Sequence, residues 1–238
     1  MIKRKDPEEF LYEVPGGNAL ERAGMVLSYL AYGNTTAMHN AVRELWKYIK
    51  PALSEMSIPV SFPESIFWKY RFTRLSHLIL LLERIHQVQK KFGSLEQCFR
   101  YAWEKENSLR FALSFMRKQI GEDIPFLADP WKGGACKRWM LFLRWMRRND
   151  GIIDRGEWKI PPLNQLIVPL DTHLFSLGRR WGWIRRKIAD WKAAEEFTRF
   201  LRQCDPEDPL RYEFSLYCWY AESGDTGRGA PKSEEGYF

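Results

Sequence analysis

Apolar residues recur every three to four positions along almost the whole chain, which is the spacing of amphipathic helices. The stretches ALERAGMVLSYLA at 19–31 and TRLSHLILLLERIHQVQKKF at 73–92 show this spacing most clearly. No segment alternates convincingly between apolar and polar residues as a strand does. We therefore predict an all-α fold. The predicted helical segments are 19–31, 37–50, 73–92, 94–105, 107–120, 135–148, 172–182, 189–203 and 209–221.

Polar residues mark the beginnings of several of these helices and the connections between them. Ser94, Asp171 and Asp190 stand where a side-chain oxygen can cap a helix N-terminus. The connection at 151–169 is long for two packed helices, and long loops of compact domains often carry function. The tail at 223–238 is rich in Gly, Ser and charged residues, and we predict that it is disordered.

Composition indicates a globular protein with an anionic partner. The chain has 238 residues, of which 45% are hydrophobic and 28% charged, and this excludes a disordered protein. The net charge is +7, and residues 131–187 alone carry thirteen basic and four acidic side chains. A basic segment of this kind favours a polyanion as partner. Aromatic residues make up 15% of the chain and include eleven Trp, so some rings are expected to line a cleft.

The cysteines and the N-terminus give no sign of a cofactor, a secretion signal or a membrane segment. No pair of cysteines has the C-x-x-C spacing of a zinc or iron–sulfur site, so we predict neither a cofactor nor a metal. The segment MIKRKDPEEF lacks an apolar signal core, and no run is long and apolar enough to cross a bilayer. These features predict a cytoplasmic protein.

The segment LIVPLDTHLFSLGRRWGW at 166–183 carries the first candidate for chemistry. Considered alone, Asp171 is an N-cap whose carboxylate accepts hydrogen bonds from the first helical turn. The motif VPLDTH, however, resembles the segment around the catalytic aspartate of the helix–hairpin–helix DNA glycosylases, such as endonuclease III and the 8-oxoguanine glycosylases. Arg179 and Arg180 follow Asp171 at an offset similar to that of the family's arginine.

The same family carries a lysine at the start of the second hairpin helix, and Lys137 in KGGACKRWMLFLRWMRR is the matching position. Considered alone, Lys137 is a solvated residue on a basic helix. Only Gly133-Gly134 remains of the family's Leu-Pro-Gly-Val-Gly-x-Lys hairpin, and the 34 positions between Lys137 and Asp171 exceed the separation in endonuclease III. The chain is most similar to a bacterial group related to the archaeal 8-oxoguanine glycosylases, which combine a degenerate hairpin with a long insertion.

The resemblance implies a DNA glycosylase with AP-lyase activity on an oxidised purine such as 8-oxoguanine. A fixed carboxylate at Asp171 would stabilise the positive charge that builds on the sugar as the glycosidic bond breaks. Burial and cationic neighbours such as Arg138 would leave Lys137 a free amine that attacks C1′ and forms a Schiff base. β-Elimination would then nick the strand. The target base must first be flipped out of the duplex into an aromatic-lined pocket.

Four residues are the candidates for contacts with the flipped base. Asn34 lies where a glycosylase places an amide that probes the duplex or the lesion, although a turn-forming Gly-Asn explains it equally well. Asp208 and Tyr212 are four positions apart on a predicted helix and resemble the acid–aromatic pair that reads the purine in archaeal 8-oxoguanine glycosylases. Asp208 is also a plausible cap before Pro209. Trp131 could stack on a base.

The predicted DNA contacts lie in and around the basic segment. The Gly133-Gly134 turn offers backbone amides to a phosphate. The residues predicted to contact the phosphate backbone are Gly133, Gly134, Arg138, Arg144, Arg179 and Arg180.

The resemblance also implies the domain organisation and the partner. Residues 1–222 would form one glycosylase-like unit with a cleft between a central helical lobe at about 18–160 and a second lobe built from 1–17 and 161–222. The expected partner is double-stranded DNA with a damaged base, and the protein would act as a monomer associated with the nucleoid.

Two other functions are compatible with the same residues. A helix–hairpin–helix protein without glycosylase activity would use the basic segment to bind branched or damaged DNA, with the salt dependence of phosphate contacts. A monofunctional glycosylase for alkylated purines would use Asp171 alone, with water as the nucleophile. An all-α scaffold with no nucleic-acid role is a third alternative.

Overall fold

The computed structural model describes residues 7–54, 67–151 and 154–223. Residues 224–238 of the predicted disordered tail lie outside these ranges, as do two residues of the long 151–169 connection. Within the described ranges no helix combines the length and the apolarity that crossing a bilayer requires.

The architecture is all-α, as predicted, with one small hairpin that the sequence did not indicate. The strands β1 (Lys69–Tyr70) and β2 (Thr73–Arg74) pair antiparallel across a turn in which Arg71 has a φ of 49°. Two-residue strands are too short to show an alternating pattern. Short 3-10 helices cover Pro7–Glu13, Pro130–Lys132 and Leu163–Gln165. The regular elements are α1 (Asn18–Leu30), α2 (Thr35–Ser54), β1 (Lys69–Tyr70), β2 (Thr73–Arg74), α3 (Leu75–Phe92), α4 (Leu95–Glu106), α5 (Leu109–Ile120), α6 (Lys137–Arg147), α7 (Thr172–Arg180), α8 (Trp191–Cys204) and α9 (Glu213–Ser223).

Helix α1 runs through the centre of the core. Every residue from Ala19 to Leu30 is buried, because α1 packs against α2, α3 and α6 on different sides. A helix that is apolar nearly all round belongs in such a position. Gly24 lets α6 approach closely, since a Cβ at this position would lie 2.5 Å from the Met146 Cε atom.

A buried carboxylate on α1 joins three other parts of the chain. Glu21 Oε2 accepts hydrogen bonds from the Leu95 amide at 2.6 Å and from Gln89 Nε2 at 2.9 Å. Glu21 Oε1 accepts from the Glu96 amide at 2.9 Å and from Trp158 Nε1 at 3.0 Å. Glu21 therefore caps α4 and ties α1 to α3 and to the segment that follows α6.

The hairpin is fixed against the end of α1 by tyrosine hydroxyl groups. Tyr70 Oη donates to the Tyr32 carbonyl at 2.5 Å, and Tyr32 Oη donates to the Tyr70 carbonyl at 2.9 Å. The amide of Thr73 donates to Tyr32 Oη at 3.2 Å. These bonds hold the Tyr32 ring at one edge of the cavity described below.

We predict that Glu21→Ala destabilises the protein by about 3 kcal/mol or more, because it leaves buried donors without an acceptor at ~1–3 kcal/mol each. Chemical denaturation of the variant measures this loss as a lower free energy of unfolding. Glu44→Ala, at an exposed position of α2, is the matched control and should change stability by less than about 0.5 kcal/mol. Equal effects of the two substitutions would show that the Glu21 hydrogen bonds are dispensable.

Candidate functional site

A cavity of about 370 Å³ lies where the end of α1 meets α6, α7 and α9. Its volume falls within the ~300–1,000 Å³ range of small-molecule sites. Its walls combine aromatic rings with charged side chains, an arrangement typical of small-molecule and cofactor sites. The lining residues used below are Tyr32, Lys137, Arg144, Asp171, His173, Glu213, Phe214 and Tyr217.

Lys137 and Asp171 meet in this cavity. Lys137 is the first residue of α6, and Asp171 is the residue immediately before α7. The Lys137 Nζ atom lies 3.6 Å from Asp171 Oδ2, with side chains 34% and 12% exposed. The amine and the carboxylate are therefore paired at a partly open cavity wall, where both can contact a bound molecule.

Asp171 caps its helix and faces Lys137 at the same time. Oδ1 accepts a hydrogen bond from the Leu174 amide at 2.9 Å, whereas Oδ2 is the atom directed at Lys137. The residues preceding it are buried, and the Val168 amide donates to Thr198 Oγ1 at 3.0 Å. The apolar run thus anchors the chain up to Leu170 and leaves the carboxylate at the cavity wall.

A buried arginine forms the floor of the cavity. Arg144 is 2% exposed, and its Nη1 atom lies 2.8 Å from Glu213 Oε2. Its Nε lies 3.2 Å from Asp154 Oδ1, and its Nη2 lies 3.8 Å from Glu8 Oε2. Arg148, one helical turn later, pairs with Asp154 as well. Two guanidinium groups therefore form ion pairs with carboxylates from several different parts of the chain.

The position of Arg144 corrects one prediction made from the sequence. On the helical pattern alone it belonged to a phosphate-facing stripe. In the structure its guanidinium is enclosed by carboxylates and faces the cavity, so it offers no surface contact to a DNA backbone.

Glu213 is a cavity residue that the sequence analysis missed. It is the first residue of α9, is 4% exposed, and pairs with Arg144. Burial raises the pKa of Glu213 to about 7; Arg144 and Lys137 oppose this shift, while Asp171 and Asp154 reinforce it. Near neutral pH the carboxyl group can therefore hold a proton and donate a hydrogen bond into the cavity.

The predicted acid–aromatic pair is also displaced. Residues 208–212 form turns rather than a helix, so Asp208 and Tyr212 share no helix face. Asp208 accepts from Arg148 Nε at 3.0 Å, and Tyr212 is exposed; neither lines the cavity. Glu213 and Tyr217 have the same spacing of four residues, lie on α9 and do line it. An acid–aromatic pair that lines the cavity is thus found five residues after the predicted one. Nothing in the sequence distinguished the two pairs.

Asn34 and Trp131 do not line the cavity. The Asn34 Oδ1 atom accepts from the Ala37 amide at 3.0 Å, so its side chain caps α2, while its neighbours Gly33 and Thr35 do line the cavity. Trp131 lines a separate groove. Of the four predicted base contacts, the structure therefore brings none into the cavity with Lys137.

The remaining predicted DNA contacts differ in accessibility. Gly133 and Gly134 are exposed just before α6, and a Cβ at either would have no atom within 4 Å. Arg179 and Arg180 are exposed at the end of α7. Arg138 is only half-buried: its guanidinium carbon lies 4.5 Å from the centre of the Tyr32 ring, and its Nη1 donates to the Phe126 carbonyl at 3.0 Å.

Within the described residues, no group of three or more His, Cys, Asp or Glu side chains is arranged to hold a metal ion. The four cysteines, all within the described residues, form no disulfide. Burial raises the pKa of Cys136, which adjoins Lys137, to about 11.

The family model described as "Protein of unknown function (DUF2400)" matches residues 6–221, and the chain belongs to this family. No curated protein and no solved structure matches the chain.

We predict that Glu213 makes the protein less stable as pH rises. Its pKa is near 4.5 in the unfolded chain and about 7 in the folded protein. Stability from the retained proton is complete below pH 4.5 and is lost as pH rises to 7, by about 3 kcal/mol at ~1.4 kcal/mol per unit of pKa.

Glu213→Gln removes the titrating group but keeps an acceptor for Arg144. The measurement is the free energy of unfolding of both proteins across this pH range. We expect the native protein to lose stability relative to the variant between pH 4.5 and 7. Parallel pH profiles would show that Glu213 ionises as it does in the unfolded chain.

Proposed function

We propose that this member of the DUF2400 family is a DNA glycosylase with AP-lyase activity that removes an oxidised purine, 8-oxoguanine being favoured, from double-stranded DNA. The observation that carries the proposal is the pairing of Lys137 Nζ with Asp171 Oδ2 at 3.6 Å in a cavity lined by aromatic rings. A nucleophilic amine beside a fixed carboxylate is the arrangement that cleavage of an N-glycosidic bond by a covalent route needs.

The first step is attack of the neutral Lys137 amine on C1′ of the damaged nucleotide. The C1′–N9 bond breaks, and its electron pair leaves with the base, which takes up a proton. Positive charge builds on the sugar during this step, and the Asp171 carboxylate stabilises it. Because the Leu174 amide holds Oδ1, the carboxylate needs no reorientation as the charge develops.

The lyase step follows from the same adduct. The sugar ring opens as the C1′–O4′ bond breaks and O4′ takes up a proton, leaving a protonated Schiff base between C1′ and Nζ. Loss of a C2′ proton forms the C2′–C3′ double bond and expels the 3′ phosphate. The covalent intermediate is reducible, which makes the mechanism open to direct test.

The base would be held by Glu213 and the rings around it. A flipped purine is read by stacking and by hydrogen bonds to its edge. Tyr32, Phe214 and Tyr217 provide aromatic surface, and the Arg144 guanidinium provides donors. A protonated Glu213 can donate to the leaving base, which accepts a proton as the glycosidic bond breaks. Lys137 and Asp171 would therefore act on the sugar, whereas the residues of α9 and their neighbours Tyr32 and Arg144 would hold the base.

Binding of the duplex would depend on groups outside the cavity. The exposed Gly133 and Gly134 amides, with Arg179 and Arg180, are the proposed phosphate contacts. We also propose that the enzyme is a monomer with two lobes and a cleft between them. Such an enzyme would work in the cytoplasm, associated with the nucleoid.

Borohydride trapping tests the covalent mechanism. With a duplex that contains 8-oxoguanine, we expect the native protein to give a stable protein–DNA adduct and Lys137→Gln to give none. Base release that persists in Lys137→Gln would indicate a monofunctional glycosylase, for which alkylated purines are the alternative substrates. Binding of DNA without base release from any lesion would indicate the non-catalytic helix–hairpin–helix alternative.

Asp171→Asn separates the two roles of that side chain. The amide oxygen can still cap α7, since Asn is as good an N-cap as Asp, but the negative charge is lost. We expect single-turnover base release to fall by about 10²–10³-fold, with the melting temperature and DNA affinity nearly unchanged. Asp171→Ala, which removes the cap too, is the comparison for stability. Equal loss of DNA binding and turnover in Asp171→Asn would favour a purely structural role.

A further inference from the structure

A second, larger cavity lies on the other side of the segment that precedes α6. This groove, of about 820 Å³, runs between the start of α5, the 3-10 helices at Pro130–Lys132 and Leu163–Gln165, and α8. We call it the tryptophan–arginine groove, after the residues that line it: Arg110, Trp131, Trp191, Glu195, Arg199 and Arg202. It shares no lining residue with the cavity of Lys137 and Asp171.

Trp131 presents an aromatic ring to this groove. Its ring is 59% exposed, although an indole ring is among the largest apolar surfaces a protein carries. The Asp129 carboxylate fixes its backbone by accepting from the Trp131 amide at 2.9 Å. The Arg110 guanidinium carbon lies 5.2 Å from the Trp131 ring centre and 4.6 Å from that of Trp191, so one cation stacks on both rings.

The charged groups of the groove favour an anion. Three arginines face a single glutamate, Glu195, which accepts a hydrogen bond from Trp191 Nε1 at 2.6 Å. Arg202 Nη2 donates to the Asn164 carbonyl at 2.8 Å and therefore belongs to the wall of the groove. Arg199 is exposed on α8, where a ligand can reach it.

We propose that the tryptophan–arginine groove binds single-stranded DNA, with a base stacked on Trp131 and the adjoining phosphate held by Arg199. A positive groove with an exposed aromatic ring is the combination by which proteins bind unpaired nucleotides without reading their sequence. This activity goes beyond the proposed base excision, because it uses neither Lys137 nor Asp171.

The test measures binding of a fluorescent oligothymidylate by anisotropy, with the Lys137→Gln protein as background so that lesion chemistry plays no part. We expect Trp131→Ala to weaken binding about tenfold, and Trp131→Phe, which keeps a ring for stacking, to stay within about threefold of the parent. Circular dichroism confirms that each variant is folded.

The arginine contact has its own readout. Arg199→Ala should lower the slope of log affinity against log salt by about 0.7, the value for one phosphate contact to a single strand. Lys192→Ala, an exposed cation on the same helix but outside the groove, is the matched control and should leave the slope unchanged.

A blunt-ended duplex of two complementary strands distinguishes stacking from general attraction to DNA. We expect Trp131→Ala to leave affinity for this duplex unchanged, because its bases are paired and not available to the ring. Equal losses for the duplex and the single strand, or single-strand binding that neither Trp131→Ala nor Arg199→Ala weakens, would overturn the proposal. Absence of borohydride trapping in the native protein would leave this result untouched, so the two proposals fail independently.

Discussion

The interaction on which the rest of the site depends is the buried pairing of Arg144 with carboxylates from three segments that are distant in sequence. Glu8 comes from the first described element, Asp154 from the connection after α6, and Glu213 from the start of α9. A buried guanidinium is tolerable only when acceptors surround it, and breaking one such pair typically costs ~3–5 kcal/mol. This need for acceptors places Glu8 and Glu213, which lie near the two ends of the described chain, against Arg144 on α6. The same helix begins with Lys137, so the cluster that fixes α6 also fixes the position of the amine.

Polar groups in the cavity are held by local backbone as well as by each other. Asp171 divides its two oxygens between the first turn of α7 and Lys137, and an anion at a helix N-terminus is favoured by the helix dipole. Lys137 stands at the corresponding end of α6. The starts of α6 and α7 therefore meet at the cavity wall and present these two side chains to each other.

The sequence predicted the helices and the meeting of Lys137 with Asp171, but most of the surrounding cavity could not be predicted from it. Helical periodicity and capping residues are local signals, and the VPLDTH motif marks a helix start by its own residues. The role of Arg144 depends on partners 136 residues upstream and 69 residues downstream, which no local pattern links. The helical pattern of a basic segment therefore predicted a phosphate contact for Arg144 instead. Glu213 was missed because Asp208 has an aromatic residue at the same spacing, and only the turn at 208–212 decides between them. Trp131, predicted as a contact of the flipped base, has an exposed ring but lies in the groove rather than in the cavity of Lys137.

The short segment between Trp131 and Lys137 has a consequence for the evolution of the chain. It is held to α8 by the Trp191 amide, which donates to the Gly133 carbonyl at 3.3 Å, and by a bridge between Gly134 and Asp190. The segment is therefore a spacer of fixed length whose two ends belong to different cavities. Insertions or deletions there would shift one cavity relative to the other. Gly134 has open space around it, whereas Gly133 has a φ of 84°, which glycine adopts far more readily than other residues. The side chain at position 134 can therefore change more readily than the number of residues in the spacer.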